Sequence, residues 1–185
     1  MLPINILKDE VIADATETAA FQHPDPKKLV LVSSEALYEA KHNNDSNLSA
    51  YMPDDIARLI PKYNVYKRRP DLFPHIYHLG KDHVIVEKLD VLSVVDDIEV
   101  LESYLGDDFY TFEHMVNNFY KKILKLNWPK EIKELARKYA NIICELKSTL
   151  TKEEKKEMNR IDDLYDVHEG NWGYDSKGKL KLIDF

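Results

Sequence analysis

Residues 166–185 read DVHEGNWGYDSKGKLKLIDF, and this closing stretch decides how the chain is read. It sets Asp166 and Asn171 five residues apart, follows them with two short runs that turn at Asp175–Gly178, and ends on Asp184-Phe185. Gly among polar residues between two short runs is the chemistry of a tight turn, so a β-hairpin is expected. Taken alone, Asp166 and Asn171 also suit loop residues beside a hairpin, and Asp184 a solvated acid.

The stretch before it has helical texture. Thr151-Lys-Glu-Glu154 matches a capping box, in which two side chains satisfy free amides at a helix start. IKELARKYANIICEL places Ile132, Leu135, Tyr139, Ile142 and Leu146 at helical spacing, and Pro129 suits the helix entry. TFEHMVNNFYKKILKL repeats the pattern through Phe112, Met115, Phe119, Ile123 and Leu126, and DDIEVLESYL predicts a short helix.

The first 90 residues read differently. TAAFQH and KKLVLVSS are strand-like runs joined by the proline-fixed turn HPDP, which predicts a hairpin. SSEALYEAKHNN predicts a helix capped by Ser33 or Ser34. MPDDIARLIPKY suggests a short helix with Pro61 near its end. FPHIYHLG and DHVIVEKLD, separated by Gly80-Lys81-Asp82, predict a second antiparallel pair.

Composition bounds the function classes. The chain has 185 residues, enough for one domain or two small lobes with a real core. Thirty-three acids against 26 bases give a net charge of −7, which leaves no cation excess for non-specific nucleic-acid binding. Cys144 is single, so no internal disulfide forms, and its helical apolar position reads as core. No signal peptide heads the sequence and no run approaches the ~18 apolar residues of a membrane span, so a cytoplasmic protein without membrane attachment is expected. His75, His78 and His83 fall near one strand pair with no companion Cys or acid cluster, and read as alternating strand positions. KRRP (67–70) and KEEKKE read as solvated surface.

The element order and the terminal motif together resemble the protein-kinase fold. A β-rich lobe with a helix, a connector after a strand (VIVEKLD), helices, Asp166-Val-His-Glu-Gly-Asn171, a hairpin and Asp184-Phe185 follow that family's order. D-x-H-x-G-N-x-x-[FY] is similar to the early serine/threonine kinases of T7-like bacteriophages, as is TAAFQHPDPKKLVLV to the hairpin before their lysine. The resemblance implies an α+β, two-lobed kinase-like fold. Residues 1–90 would form the β-rich N-lobe with one or two helices. Residues 91–185 would form a shortened helical C-lobe ending in a β-hairpin. It implies Mg²⁺ and ATP as cofactors. Asp166 would orient or deprotonate the acceptor hydroxyl, Asn171 and Asp184 would ligate Mg²⁺, and Glu87 and Leu89 would lie on the inter-lobe connector beside the nucleotide. His168 would steady the loop by hydrogen bonds.

Departures from the family pattern redirect the expected function. VIADATETAAFQH carries no glycine where the family's backbone approaches phosphate, and Ala13 and Ala15 stand there instead. The place of the phosphate-pairing lysine falls at Val32 or Ser33, while Lys27 and Lys28 lie early, beside the turn. Glu35 or Glu39 would be the helix glutamate, but without the lysine its role disappears. The activation segment and peptide-binding helices of full kinases do not follow Phe185. The expectation is therefore a degenerate kinase-like protein, a pseudokinase, that binds and modulates another protein, a host protein if phage-encoded. The alternative is an active, minimal Mg²⁺-ATP phosphotransferase acting on Ser/Thr or a small hydroxyl compound.

Overall fold

The computed structural model describes residues 2–14, 18–51, 55–105, 127–149, 151–157 and 171–183. The chain divides into two compact units, one of Met1–Pro70 with Pro74–Lys88, the other of Asp71–Phe73 with Leu89–Phe185. The whole is a mixed α+β structure. Among the described residues no helix is long and apolar enough to cross a membrane.

The first unit is built on a five-stranded antiparallel sheet. Its strands are β1 (Val11–Asp14), β2 (Thr18–Gln22), β3 (Lys28–Ser33), β4 (Ile76–Leu79) and β5 (Val84–Glu87), in the order β1-β2-β3-β5-β4. The expected hairpin at HPDP forms because its polar groups close the turn locally. Asp25 accepts from the Lys27 amide at 3.0 Å, and His23 Nδ1 accepts from the Asp25 amide at 2.9 Å. The second expected hairpin also forms, with the Gly80 amide donating to the His83 carbonyl at 3.0 Å. Both edge strands pair irregularly: the register shifts between Val11 and Ala13 in β1, and between Ile76 and His78 in β4.

Period-two alternation then sorts the side chains between two faces. Ala19, Phe21, Val30 and Val32 share one face and are buried under helix α1 (Ser34–His42), which presents Ala36, Leu37 and Ala40 to them; Ile6 and Leu48 complete this cluster. The opposite face buries Val84, Val86 and Ile76. Ser33 is the residue that caps α1: its hydroxyl accepts from the Ala36 amide at 3.1 Å.

Helix α2 (Asp55–Arg68) corrects one expectation. Pro61 lies inside it rather than near its end, and the helix continues for two more turns. An interior proline costs roughly 3 kcal/mol through a lost hydrogen bond and a ring clash. Tyr63, Val65 and Tyr66 all follow it and all are buried, at roughly 1.5–3 kcal/mol for each large apolar side chain. Burial outweighs the break.

In the second unit, α3 (Leu92–Leu105) and α4 (Lys130–Thr149) pack together, and α5 (Lys152–Glu157) follows. Pro129 stands at the entry of α4, its carbonyl accepting from the Lys133 amide at 3.1 Å. The capping box forms in both directions, from the Thr151 amide to Glu154 at 3.0 Å and from the Glu154 amide to the Thr151 hydroxyl at 3.1 Å. Among the described side chains of α4, Ala136, Tyr139 and Ala140 are buried, while Ile132, Leu135, Ile142 and Cys144 are only partly buried; the expected Leu146 lies outside the described side chains. The pattern 112–126 lies outside the described residues. The unit ends in the expected hairpin of β6 (Trp172–Tyr174) and β7 (Leu180–Leu182).

Ser33→Ala leaves the buried Ala36 amide without its acceptor. The expected loss is about 1 kcal/mol of stability, seen as a lower urea midpoint at unchanged denaturant slope. An unchanged midpoint would show that this cap contributes nothing.

Candidate functional site

The terminal hairpin is held from both sides by segments far away in sequence. Asp90 exchanges two backbone hydrogen bonds with Tyr174, at 2.8 and 2.9 Å, while the Leu182 amide donates to the Leu72 carbonyl at 2.9 Å. Asp90, through an isolated bridge, and Leu72, in a turn, thus flank β6–β7 on its two sides. Trp172, Leu180 and Leu182 are buried on one face, and the Trp172 ring meets Tyr139 of α4 edge to face at 5.3 Å. Gly173 lies on the other face, where the Leu89 side chain presses on its backbone. A Cβ added to Gly173 would stand 2.5 Å from the Leu89 Cβ.

The turn between β6 and β7 is organised by one carboxylate. Asp175 Oδ1 accepts from the amides of Lys177 and Lys179, each at 2.9 Å, and its other oxygen is 3.6 Å from the ammonium of the buried Lys181. Gly178 adopts φ +73°, the left-handed conformation that suits glycine in this turn. Burial by itself would raise the Asp175 pKa; the two amides and Lys181 overcome that and hold it below the usual carboxylate value.

Asn171 immediately precedes β6. It is buried, and its carbonyl accepts from the Ile183 amide at 2.6 Å. Leu89, on the connector, reaches the same strand at Gly173, two residues further along, or about 7 Å at the rise of a strand. The structure thus places the expected cation ligand Asn171 just before β6 and the expected connector residue Leu89 against Gly173 within it. Glu87 belongs to β5 instead, where its carboxylate accepts from the His75 amide at 3.1 Å. Asp166, Asp184 and His168 lie outside the described residues. Among the described residues no three His, Cys, Asp or Glu side chains stand as a ready-made metal site.

Two features bear on nucleotide binding. The amides of Glu87, Lys88 and Asp90 already donate to the carbonyls of His75, Lys27 and Tyr174. Val32, where the resemblance would place a lysine, has no solvent exposure. Lys28, the neighbouring cation, is paired with Asp25 at 3.0 Å and lies over the Tyr77 ring at 4.6 Å. Of the two candidate helix glutamates, Glu35 is exposed and Glu39 half-buried, while the buried residues of α1 are Ala36, Leu37 and Ala40.

A polar network anchors the strand. The Tyr174 hydroxyl donates to Asp97 of α3 and accepts from Lys138 of α4, whose ammonium also sits 3.9 Å from the Tyr174 ring centroid. Burial pushes the Tyr174 phenol up, with Asp97 adding to the shift; burial also lowers Lys138, against the pull of Asp97. Sequence reading missed this trio because its members stand 77 and 36 residues apart. The only signal available was a tyrosine beside the expected turn.

Comparison of the chain with protein-family models, with curated proteins and with solved structures returns no match.

Two outcomes follow from this geometry. Gly173→Ala forces Leu89 off the strand and is expected to destabilise the protein by about 1–3 kcal/mol, measured by urea unfolding; a neutral result would mean that the contact yields freely. Because the folded pKa of Asp175 is depressed, its stabilisation is complete above the unfolded-state value of about 3.9 and is lost as pH falls through the folded value. Asp175→Asn should flatten that acid limb of the stability profile, and an unaltered limb would assign it to other carboxylates.

Proposed function

We propose that the chain is a degenerate, kinase-like protein that works by binding another protein rather than by transferring phosphate. If its gene is phage-borne, that partner is a host protein. What supports the kinase-like part is the architecture around the matched motif. An antiparallel sheet carries a helix directly after its third strand, where the family places its lysine and the following helix glutamate. The connector residue Leu89 packs on Gly173 of the first strand of the terminal hairpin, which the loop residue Asn171 immediately precedes.

The single observation that carries the binding reading is Val32. A phosphate-pairing lysine must reach a solvent-accessible anion, yet this position has zero exposure and packs within an apolar cluster under α1. The described residues therefore fit an ATP phosphate poorly on this wall. The committed amides of 87, 88 and 90 also leave few donors for a base edge. Loss of a phosphate-positioning cation costs roughly 10²- to 10⁴-fold in rate.

A second reading, a minimal Mg²⁺-ATP phosphotransferase, draws on Asn171. That residue is buried and fixed at the start of β6, as a positioned cation ligand would be.

The test is incubation with Mg²⁺ and radiolabelled ATP, with and without a cell lysate, beside Asp166→Ala. The expected result is no label transfer that depends on Asp166. Transfer that disappears in Asp166→Ala would overturn the binding reading in favour of the phosphotransferase.

A further inference from the structure

The β4–β5 hairpin brings together two of the three histidines that sequence reading assigned to ordinary strand positions. His78 closes β4, His83 opens β5, and their ring centroids stand 4.8 Å apart with planes inclined by 27°. His75 is engaged elsewhere, edge to face with Tyr77 at 4.6 Å.

His83 is only 4% exposed, and its Nδ1 lies 2.8 Å from the Asp82 carboxylate. With Nδ1–H donating to that carboxylate, the neutral tautomer of the ring presents its Nε2 lone pair. Among the described residues no hydrogen bond reaches His83 Nε2 or the His78 ring. The lack of a side chain at Gly80 lets the His78 ring lie close against it, since a Cβ there would stand 2.8 Å from His78 Nε2. A carboxylate orienting an imidazole whose other nitrogen has no partner is the outer-shell arrangement of metal-binding histidines.

We propose that this turn is a site for a borderline divalent transition metal, Zn²⁺ in particular, held by His78 and His83 through Nε2 and completed by water. Two imidazoles on one tetrahedral ion, with bonds of about 2.0–2.1 Å, place their ring centroids roughly 5 Å apart, close to the separation seen. His78 is exposed and turns onto the ion, whereas His83 is preset by Asp82. Imidazole ligands select such a cation over Mg²⁺, which prefers oxygen. This site is independent of the kinase-like reading.

The test uses the full chain stripped with EDTA and titrated with ZnCl₂ in a calorimeter, with MgCl₂ as control. One Zn²⁺ per chain and a Tm raised by Zn²⁺ but not by Mg²⁺ are expected. His78→Ala, at an exposed position that leaves the fold intact, should weaken binding tenfold or more. Asp82→Asn should weaken it 10- to 100-fold at the same stoichiometry, and His75→Ala should leave it unchanged. Absence of one-equivalent binding, undiminished affinity in His78→Ala, or loss in His75→Ala would each overturn the proposal. Undiminished affinity in Asp82→Asn would overturn the orienting role of the carboxylate.

Discussion

The close approach of Leu89 to the backbone of Gly173 is the constraint on which the second unit depends. It requires a residue without a side chain at 173, and it sets the segment after β5 beside β6, so that Asp90 and Tyr174 can pair. With β6 fixed there, Tyr174 reaches both Asp97 and Lys138, and Trp172 seats on Tyr139. One short strand thereby links two helices and a chain crossing. An isolated two-stranded hairpin is marginal in water, and the flanking backbone from 72 and 90 supplies what this one lacks.

The first unit rests on a different balance. Its sheet buries apolar side chains on both faces, and the face under α1 is filled by small and branched residues. Such packing leaves no room for a long cationic side chain at Val32, because burying an unpaired charge there would exceed the stability of a typical contact many times over. Valine at 32 is therefore a packing solution, filling the apolar cluster under α1. Ser33 next to it serves as a helix cap rather than as part of a ligand site.

Local chemistry made much of this legible in the sequence. HPDP and Gly80-Lys81-Asp82 specify turns through residues that act over a few positions, and so do the caps at Ser33 and Thr151. What escaped depends on partners distant in the chain. The helix through Pro61 is decided by buried side chains after it, and the bracketing of β6–β7 by single residues at 72 and 90 has no periodicity to read. Of the candidate site, Asn171 and Leu89 were legible, but the packing of Leu89 on Gly173 was not. The Asp97–Tyr174–Lys138 network and the His78–His83 pair arise only when the chain folds, since neither has a sequence spacing that distinguishes it from ordinary surface residues.

The irregular pairing of β1 and β4 has a consequence beyond the molecule itself. An open five-stranded sheet presents two rows of backbone donors and acceptors that another copy could extend. Here both outermost strands are only four residues long, and each is interrupted by a register shift. A neighbouring strand would find no straight, continuous ladder to join at either side. Geometry at the two outer strands thus works against growth of the sheet by addition of further copies.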